Sequence, residues 1–450
     1  MKNNTDLITK PIPGLIKNIA LPASIGFFFN TMYNVVDTFY AGLISMQALA
    51  ALSLSFPVFF VIIAMGSGLS TGATALIANA LGAGQVGRAK RYAIQAITFA
   101  VIIGILLTFV GFYFAPFLFR ILGATGEYLT IALSYINIIF FGTVLFLLTF
   151  ILNSTLTAQG NTKTFRNFLF IGFFLNLILD PWFMFGGLGL PALGLAGVAW
   201  ATVATQIIGI FYLGYRVAKT GLFCRGCLVK FIPRWSYFLR LAKQGFPASL
   251  NMMTVAIGIF VITYFVSAFG KAAVAAYGIA VRIDQIALLP NIGLNIATLT
   301  LIGQNNGAGQ FNRAKEVYRL AIKYGLFIVS FGMILVFIFA RQAIMIFSQE
   351  PIVILTGVTY LRISVLVYWS YAILFISTSA LQGLKKPMYA VWLGLYRQIA
   401  APIIIFYLLA YVFGLGLLGI WWGILIINWS AAIITLIYVR YVMKKCLIND

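Results

Sequence analysis

Histidine is absent from this 450-residue chain, and acidic side chains are scarce, eight Asp and Glu against 30 Lys and Arg. Without histidine there is no Ser–His pair for a hydrolase and no imidazole ligand for a zinc site, which leaves little room for an enzyme. Cysteine is limited to Cys224, Cys227 and Cys446. Cys224 and Cys227 form a CxxC, but no second pair or histidine completes a metal set, so they read as two loop thiols in a reducing cytosol. Charged residues make up only 8% of the chain, where a soluble domain carries about 25%. Water is therefore not the solvent for most of this surface.

What the chain has instead is apolar bulk, 62% of its residues, with 41 Phe and 22 Tyr. Long apolar runs recur from end to end, the mark of membrane-spanning helices. Breaks at charged and Gly/Pro-rich points delimit twelve helices, over 14–41, 48–78, 92–116, 129–153, 164–187, 194–216, 244–268, 273–302, 319–340, 353–380, 389–413 and 417–440. The fold class expected is an all-α membrane protein. Residues Met1–Lys10 are polar and the first apolar run is long enough to span, so no separable signal peptide is expected. The longest polar interval lies near 219–243.

The net charge of +22 invites a nucleic-acid reading, but its distribution opposes one. Only Arg120, Lys271 and Arg341 fall in odd-numbered connections, and only Arg282, Arg362 and Arg397 fall within spans. The other basic residues cluster at the termini and the even-numbered connections, which places both termini in the cytoplasm. The basic charge is then a topology signal and a contact with anionic lipid headgroups. The expected setting is a prokaryotic plasma (inner) membrane, with no nucleic-acid partner.

The sequence also repeats itself. Gly82–Lys90 and Gly307–Lys315 share the pattern GAGQxxRAK; Pro22-Ala23-Ser24 returns as Pro247-Ala248-Ser249; Gln159-Gly160 returns as Gln382-Gly383; GLAGVAW from Gly194 returns as GLLGIWW from Gly416. Each half holds six spans, an even number, so the halves share one topology and are expected to be related by a pseudo-two-fold along the membrane normal. Parallel repeats of this kind are a transporter architecture. The expected organisation is a bundle over 1–218, a cytoplasmic linker over 219–243 and a second bundle over 244–450. GAGQxxRAK lacks the spacing of a nucleotide-binding phosphate loop and no strand precedes it; a helix end followed by a cytoplasmic turn explains it better.

Within the spans only Asp37, Asp180 and Asp284 are acidic. A charged side chain at a helix centre costs at least about 2.5–3.5 kcal/mol on insertion scales, so such groups read first as functional. Tyr33 and Asn34 precede Asp37 at i−4 and i−3 and share its face. Asn176 stands in the same relation to Asp180, and Pro181 frees the carbonyl of Leu177, giving a carboxylate beside an unclaimed acceptor. The repeat places Ile262 opposite Asp37, and Pro402 or Ile403 opposite Asp180. Acids kept in one half only point to a cation or proton site in the N-terminal bundle. Asn153 and Thr202 are further candidates for the same cavity, with ordinary interhelical hydrogen bonding as the alternative. For Asp284 and its neighbour Arg282 functional and structural readings are balanced, and Arg362 and Arg397 are expected to snorkel or pair.

The MYNVVDTFYAG segment, the doubled GAGQxxRAK, the two QG pairs, LNLILDP and GLGLAGVAW together resemble the multidrug and toxic compound extrusion (MATE) family over nearly the whole chain. Asp37 and Asp180, both in the N-terminal bundle, resemble its DinF-like branch; the NorM-like branch would be expected to show carboxylates in the seventh and tenth spans. The resemblance implies a V-shaped twelve-helix exporter of lipophilic organic cations; a monomer is expected, without a cofactor beyond its coupling ion, H+ or Na+. It implies Asp37 as the main coupling residue, Asp180, Asn176, Asn153, Tyr33 and Asn34 around the same site (with Asp37, Asp180 and Asn176 as the Na+ ligands, should that be the ion) and Pro22 as a hinge in the first helix. A flippase for a lipid-linked precursor, from the same wider superfamily, is the alternative; it should carry a basic cavity for pyrophosphate, whereas the charge in the first half is acidic.

Overall fold

The computed structural model describes residues 6–187, 189–223 and 231–448, with side chains to residue 445. Cys224, Cys227 and the side chain of Cys446 lie outside the described residues. The described chain is all helix, with one isolated bridge between Gly187 and Leu190. The long helices are α1 (Ile12–Ile44), α2 (Met46–Gly82), α3 (Val86–Ile121), α4 (Gly126–Phe141 and Thr143–Thr157), α5 (Lys163–Phe185) and α6 (Leu195–Ala218), then α7 (Trp235–Ser267), α8 (Lys271–Gly307), α9 (Phe311–Met345), α10 (Pro351–Gly383), α11 (Met388–Val412) and α12 (Gly416–Ile448). Eleven of these are long and apolar enough to cross a membrane; α4 makes the twelfth span, with its two pieces bent by 46° at Gly142. The protein is thus a multi-pass α-helical membrane protein.

Several helices outrun the apolar stretches that mark them. The largest difference is α7, which begins at Trp235, inside the interval expected to be a linker. Its first turns carry Arg240 and Lys243, so hydropathy drops although the helix continues. A helix end that leaves the hydrocarbon loses its apolar signal and keeps its backbone hydrogen bonds. Pro22 and Pro247 lie inside unbroken α1 and α7.

The described residues form two compact units, one within 25–249 and the other of 6–24 with 250–448. The boundary therefore does not fall in the 219–243 connection. The first part of α7 packs in the first unit and the first part of α1 packs in the second. The reason is visible at two glycines. In the first unit a Cβ on Gly68 of α2 would collide with Ser249 of α7, and the Ser249 hydroxyl donates to the Met65 carbonyl at 3.3 Å. In the second, a Cβ on Gly293 of α8 would collide with Ala20 and Ser24 of α1, and the Ser24 hydroxyl donates to the Pro290 carbonyl at 3.0 Å. Each of these four residues has its counterpart at the same offset in the other half, so the sequence repeat is a repeat of packing.

The GAGQ motif also does the same thing twice. Gly84 has φ +70° and Gly309 has φ +71°, so each turn uses a left-handed residue that only glycine adopts freely. Arg88 and Lys90, with Arg313 and Lys315, then fall in the first turns of α3 and α9 rather than in the turn itself.

The core of the first unit gathers Ile77, Phe119, Ile136, Ile139 and Leu147, and that of the second Tyr368, Phe406 and Trp421, all buried. Large apolar side chains also cover the outside, as with Phe211 (75% exposed) and Phe327 (78%). Lipid, which is as apolar as leucine, removes any cost for this arrangement, and small residues set the close helix approaches.

Candidate functional site

The intramembrane carboxylates of the first unit converge. Asp37 on α1 and Asp180 on α5 are 7% and 0% exposed, and their carboxyl groups face each other with the Asn176 amide beside both. Asn176 and Asp180 are one turn apart on α5, and the Asn176 Nδ2 donates to an Asp180 oxygen at 2.8 Å. Tyr33, one turn before Asp37 on α1, brings its hydroxyl next to Thr202 and Thr205 of α6 and near both carboxylates. Those threonine hydroxyls donate to Val198 and Ala201 of their own helix, each at 3.0 Å. Tyr135 of α4 closes the cluster, near enough to feel both acids.

Four oxygen atoms in this cluster are buried without a hydrogen-bond partner: Tyr33 Oη and one side-chain oxygen each of Asp37, Asn176 and Asp180. Among the described residues no Lys or Arg pairs with either carboxylate, and the only ion pair joins Lys10 to Asp6 at 2.6 Å, far along the chain. A buried carboxylate pair with no cationic partner is stable only when it takes up a proton or a cation. The free oxygens are hard donors, suited to H+ or Na+ and not to a soft metal. Among the described residues no three His, Cys, Asp or Glu side chains come together as a metal cluster.

The Leu177 carbonyl, which Pro181 leaves without its helical donor, is not open to an ion on all sides. The Tyr40 hydroxyl of α1 donates to it at 3.1 Å. The proline thus creates an acceptor that ties α5 to α1, one turn beyond Asp37.

The other sequence candidates show contacts of their own. Asn34 is exposed and donates to the Asn30 carbonyl at 2.8 Å. Asn153 accepts from the Thr157 hydroxyl at 3.2 Å on its own helix. Pro22 is buried where α1 belongs to the second unit. Thr205 and Tyr135 were not singled out from the sequence. Thr205 follows Thr202 by three residues and shares its face, which is a usable signal; nothing in the pattern around Tyr135 marks it.

Asp284 on α8 is a different kind of carboxylate. Tyr360, Ser364 and Tyr368 form a stripe on α10, and all three hydroxyls donate to it, at 3.1, 3.1 and 2.7 Å. Both its oxygens are claimed, which explains how one charge is held in that unit. Arg282 is exposed and makes no ion pair with it.

Comparison with known proteins fits this arrangement. The MatE family pattern matches residues 22–182 and 247–408, one match in each half. A probable multidrug resistance protein NorM of Thermotoga maritima is 29% identical over 416 residues, covering 91% of this chain and 88% of its own. An FAD transporter of Shewanella oneidensis is 28% identical over 402 residues, covering 89% and 88%. Among solved structures, a MOP superfamily transporter from Pyrococcus furiosus, for which reversed polarity of the binding pocket suggests a different function, aligns with a TM-score of 0.92 at 25% identity and 99% of both chains. An outward-facing multidrug resistance MATE transporter of the same superfamily aligns at 0.91, with the same identity and coverage.

Proposed function

The chain belongs to the MatE family of membrane transporters, and from that premise we propose that it exports drug-like organic cations in exchange for protons or sodium, with Asp37 and Asp180 as the coupling pair. It is a transporter and not an enzyme. The observation that carries the coupling assignment is the pair itself: two buried carboxyls with no cationic partner among the described residues, and buried oxygens of Tyr33 and Asn176 that have no hydrogen-bond partner. Relatives named for multidrug resistance in Thermotoga maritima and Bacillus subtilis support the substrate class.

Exchange follows from charge competition. With a proton or sodium ion on the pair, the negative charge that would attract a cationic substrate is neutralised. When the pair gives up its ion on the other side, the charge returns and substrate binding is favoured. A ligand that prefers one charge state shifts the protein toward the conformation that stabilises that state, which is what couples two opposed fluxes. Thr202, Thr205 and Tyr135 give the pair a polar wall. The distribution of Lys and Arg supports cytoplasmic termini.

The test is ethidium efflux from cells expressing wild type, Asp37→Asn and Asp180→Asn, under an imposed pH gradient and then a sodium gradient. Wild type is expected to expel the dye, Asp37→Asn to lose gradient-driven efflux, and the effective gradient to name the ion. Wild-type efflux from Asp37→Asn sinks the coupling assignment. A folded wild type that moves no cation at all makes lipid-precursor flipping the better reading.

A further inference from the structure

The second unit holds a half-buried cation within a span that the exchange of organic cations does not use. Arg397 sits in α11 where the helix widens into a π turn, Tyr396–Ala400. Such turns cost hydrogen-bond geometry and recur at functional sites. The side chain is half-buried and its guanidinium lies 5.5 Å from the ring centre of Tyr371 and 5.8 Å from that of Phe375, both on α10. These two rings are themselves nearly parallel, with an interplanar angle of 9°. On α12, Asn428 accepts one guanidinium hydrogen at 3.3 Å while donating to the Ile424 carbonyl at 2.8 Å.

Three helices therefore converge on a charge that no anion among the described residues balances. Among the described residues no carboxylate pairs with Arg397, and the one buried acid of this unit, Asp284, is bound by three hydroxyls. The aromatic rings attract the cation through their faces, yet they use none of its N–H groups. Arginine presents five donors in a planar fork and stays charged wherever it is placed. With one long hydrogen bond to Asn428, most of that fork is uncommitted, and a planar or tetrahedral oxyanion is the partner whose geometry matches it. Arg397 also cannot serve as a lipid-facing snorkelling residue, since its head group is turned onto Tyr371, Phe375 and Asn428.

We propose that Arg397, Tyr371, Phe375 and Asn428 form a recognition site for an organic oxyanion, the carboxylate, sulfonate or phosphate of an amphiphilic molecule with a flat or acyl body. This inference rests on the transporter reading and widens its substrate range: a molecule carrying an anionic group engages the second unit, while the acidic pair of the first unit engages cations. The guanidinium takes the oxyanion, the stacked rings of Tyr371 and Phe375 take the apolar body, and Asn428 holds the fork in place. The same chemistry comes from two sources, a soluble aromatic anion and the headgroup of an anionic phospholipid.

The experiment uses the full chain in nanodiscs and proteoliposomes, with carboxyfluorescein as the anionic probe and ethidium as the cationic one. Wild type is expected to bind carboxyfluorescein saturably, and Arg397→Gln to weaken that binding by about tenfold or more, as loss of a charge-assisted fork implies, with ethidium efflux retained. Discs of phosphatidylglycerol that suppress dye binding in wild type, relative to discs of zwitterionic phosphatidylcholine, identify the lipid headgroup as an occupant; equal binding in the two lipids identifies the soluble anion, and both support the site. Unchanged dye affinity in Arg397→Gln overturns the proposal, as does loss of ethidium efflux along with dye binding in a folded variant, which would make the residue structural. If Arg397→Gln does not fold, Arg397→Lys carries the test: a point charge without the fork weakens the dye several-fold, and an unchanged affinity overturns the site. A wild type that moves ethidium but does not bind the anion removes this inference alone; one that does neither removes the cation-exchange reading with it.

Discussion

Asn176 and Asp180 share one hydrogen bond of 2.8 Å, and the atom each keeps in reserve, Asn176 Oδ1 and the second Asp180 oxygen, is buried without a partner. The amide therefore fixes the carboxylate through its donor and offers an acceptor of its own. Asn176→Leu removes both. Hydrogen bonds to charged groups contribute about 1.5–3 kcal/mol, so ion affinity at the pair is expected to fall about tenfold to a hundredfold. The readout is the half-saturating sodium concentration, or the size of the pH gradient needed for ethidium efflux. Wild-type coupling in this variant would show that Asn176 serves packing alone.

Tyr40 and Pro181 should be energetically coupled, because the proline exposes the Leu177 carbonyl that the Tyr40 hydroxyl fills. Tyr40→Phe is expected to destabilise the detergent-solubilised protein by about 1 kcal/mol. In a Pro181→Ala background the restored N–H at position 181 competes for the same carbonyl, so the same substitution should cost less. A double-mutant cycle on thermal unfolding measures the difference, and additivity of the two substitutions contradicts the coupling.

Asp284 should behave unlike Asp37. Its oxygens accept from Tyr360, Ser364 and Tyr368, so Asp284→Asn replaces an acceptor with a donor facing three donors. The expected result is a lower unfolding temperature, with about 1–3 kcal/mol lost, and gradient-driven efflux that keeps its ion dependence. Tyr368→Phe, which removes the shortest of the three bonds, should show part of the same loss. An Asp284→Asn protein that is stable but uncoupled would move the coupling site into the second unit.

Glycine substitutions should divide by sign. Gly68→Ala and Gly293→Ala force a Cβ into the backbone or side chain of Ser249 and of Ala20 and Ser24, and overpacking of this kind costs about 1–3 kcal/mol. Gly87, in the first turn of α3, has nothing within 4 Å of a Cβ. Gly87→Ala is expected to be neutral or to stabilise by up to about 1 kcal/mol through helix propensity. Thermal unfolding in detergent distinguishes the two classes.

The twelve spans, the doubled GAGQ turn and the acids on α1 and α5 were legible because each leaves a local signature, a long apolar run or an ionisable residue inside one. The meeting of Asp37 with Asp180 was suggested only by their confinement to one half; the helices that bring them together lie over a hundred residues apart and leave no period in the sequence. The Tyr40 contact was hidden for the same reason, although the carbonyl it fills was readable from Pro181. The start of α7 at Trp235 was obscured because hydropathy reports the hydrocarbon and not the helix. Arg397 stood out as an intramembrane charge, but whether an acid balanced it depended on three helices whose facing sides no single segment encodes.

The serines that sit on Gly68 and Gly293 come from the opposite halves of the gene. A chain made of one half alone would lack the segment that closes its own bundle, and would have to borrow it from a second copy. A half-length ancestor is therefore best pictured as a domain-swapped homodimer, with α1-like ends traded between subunits, and fusion would have made that exchange permanent. By the same reasoning, fragments divided between α6 and α7 should accumulate poorly when expressed singly and rescue one another when co-expressed.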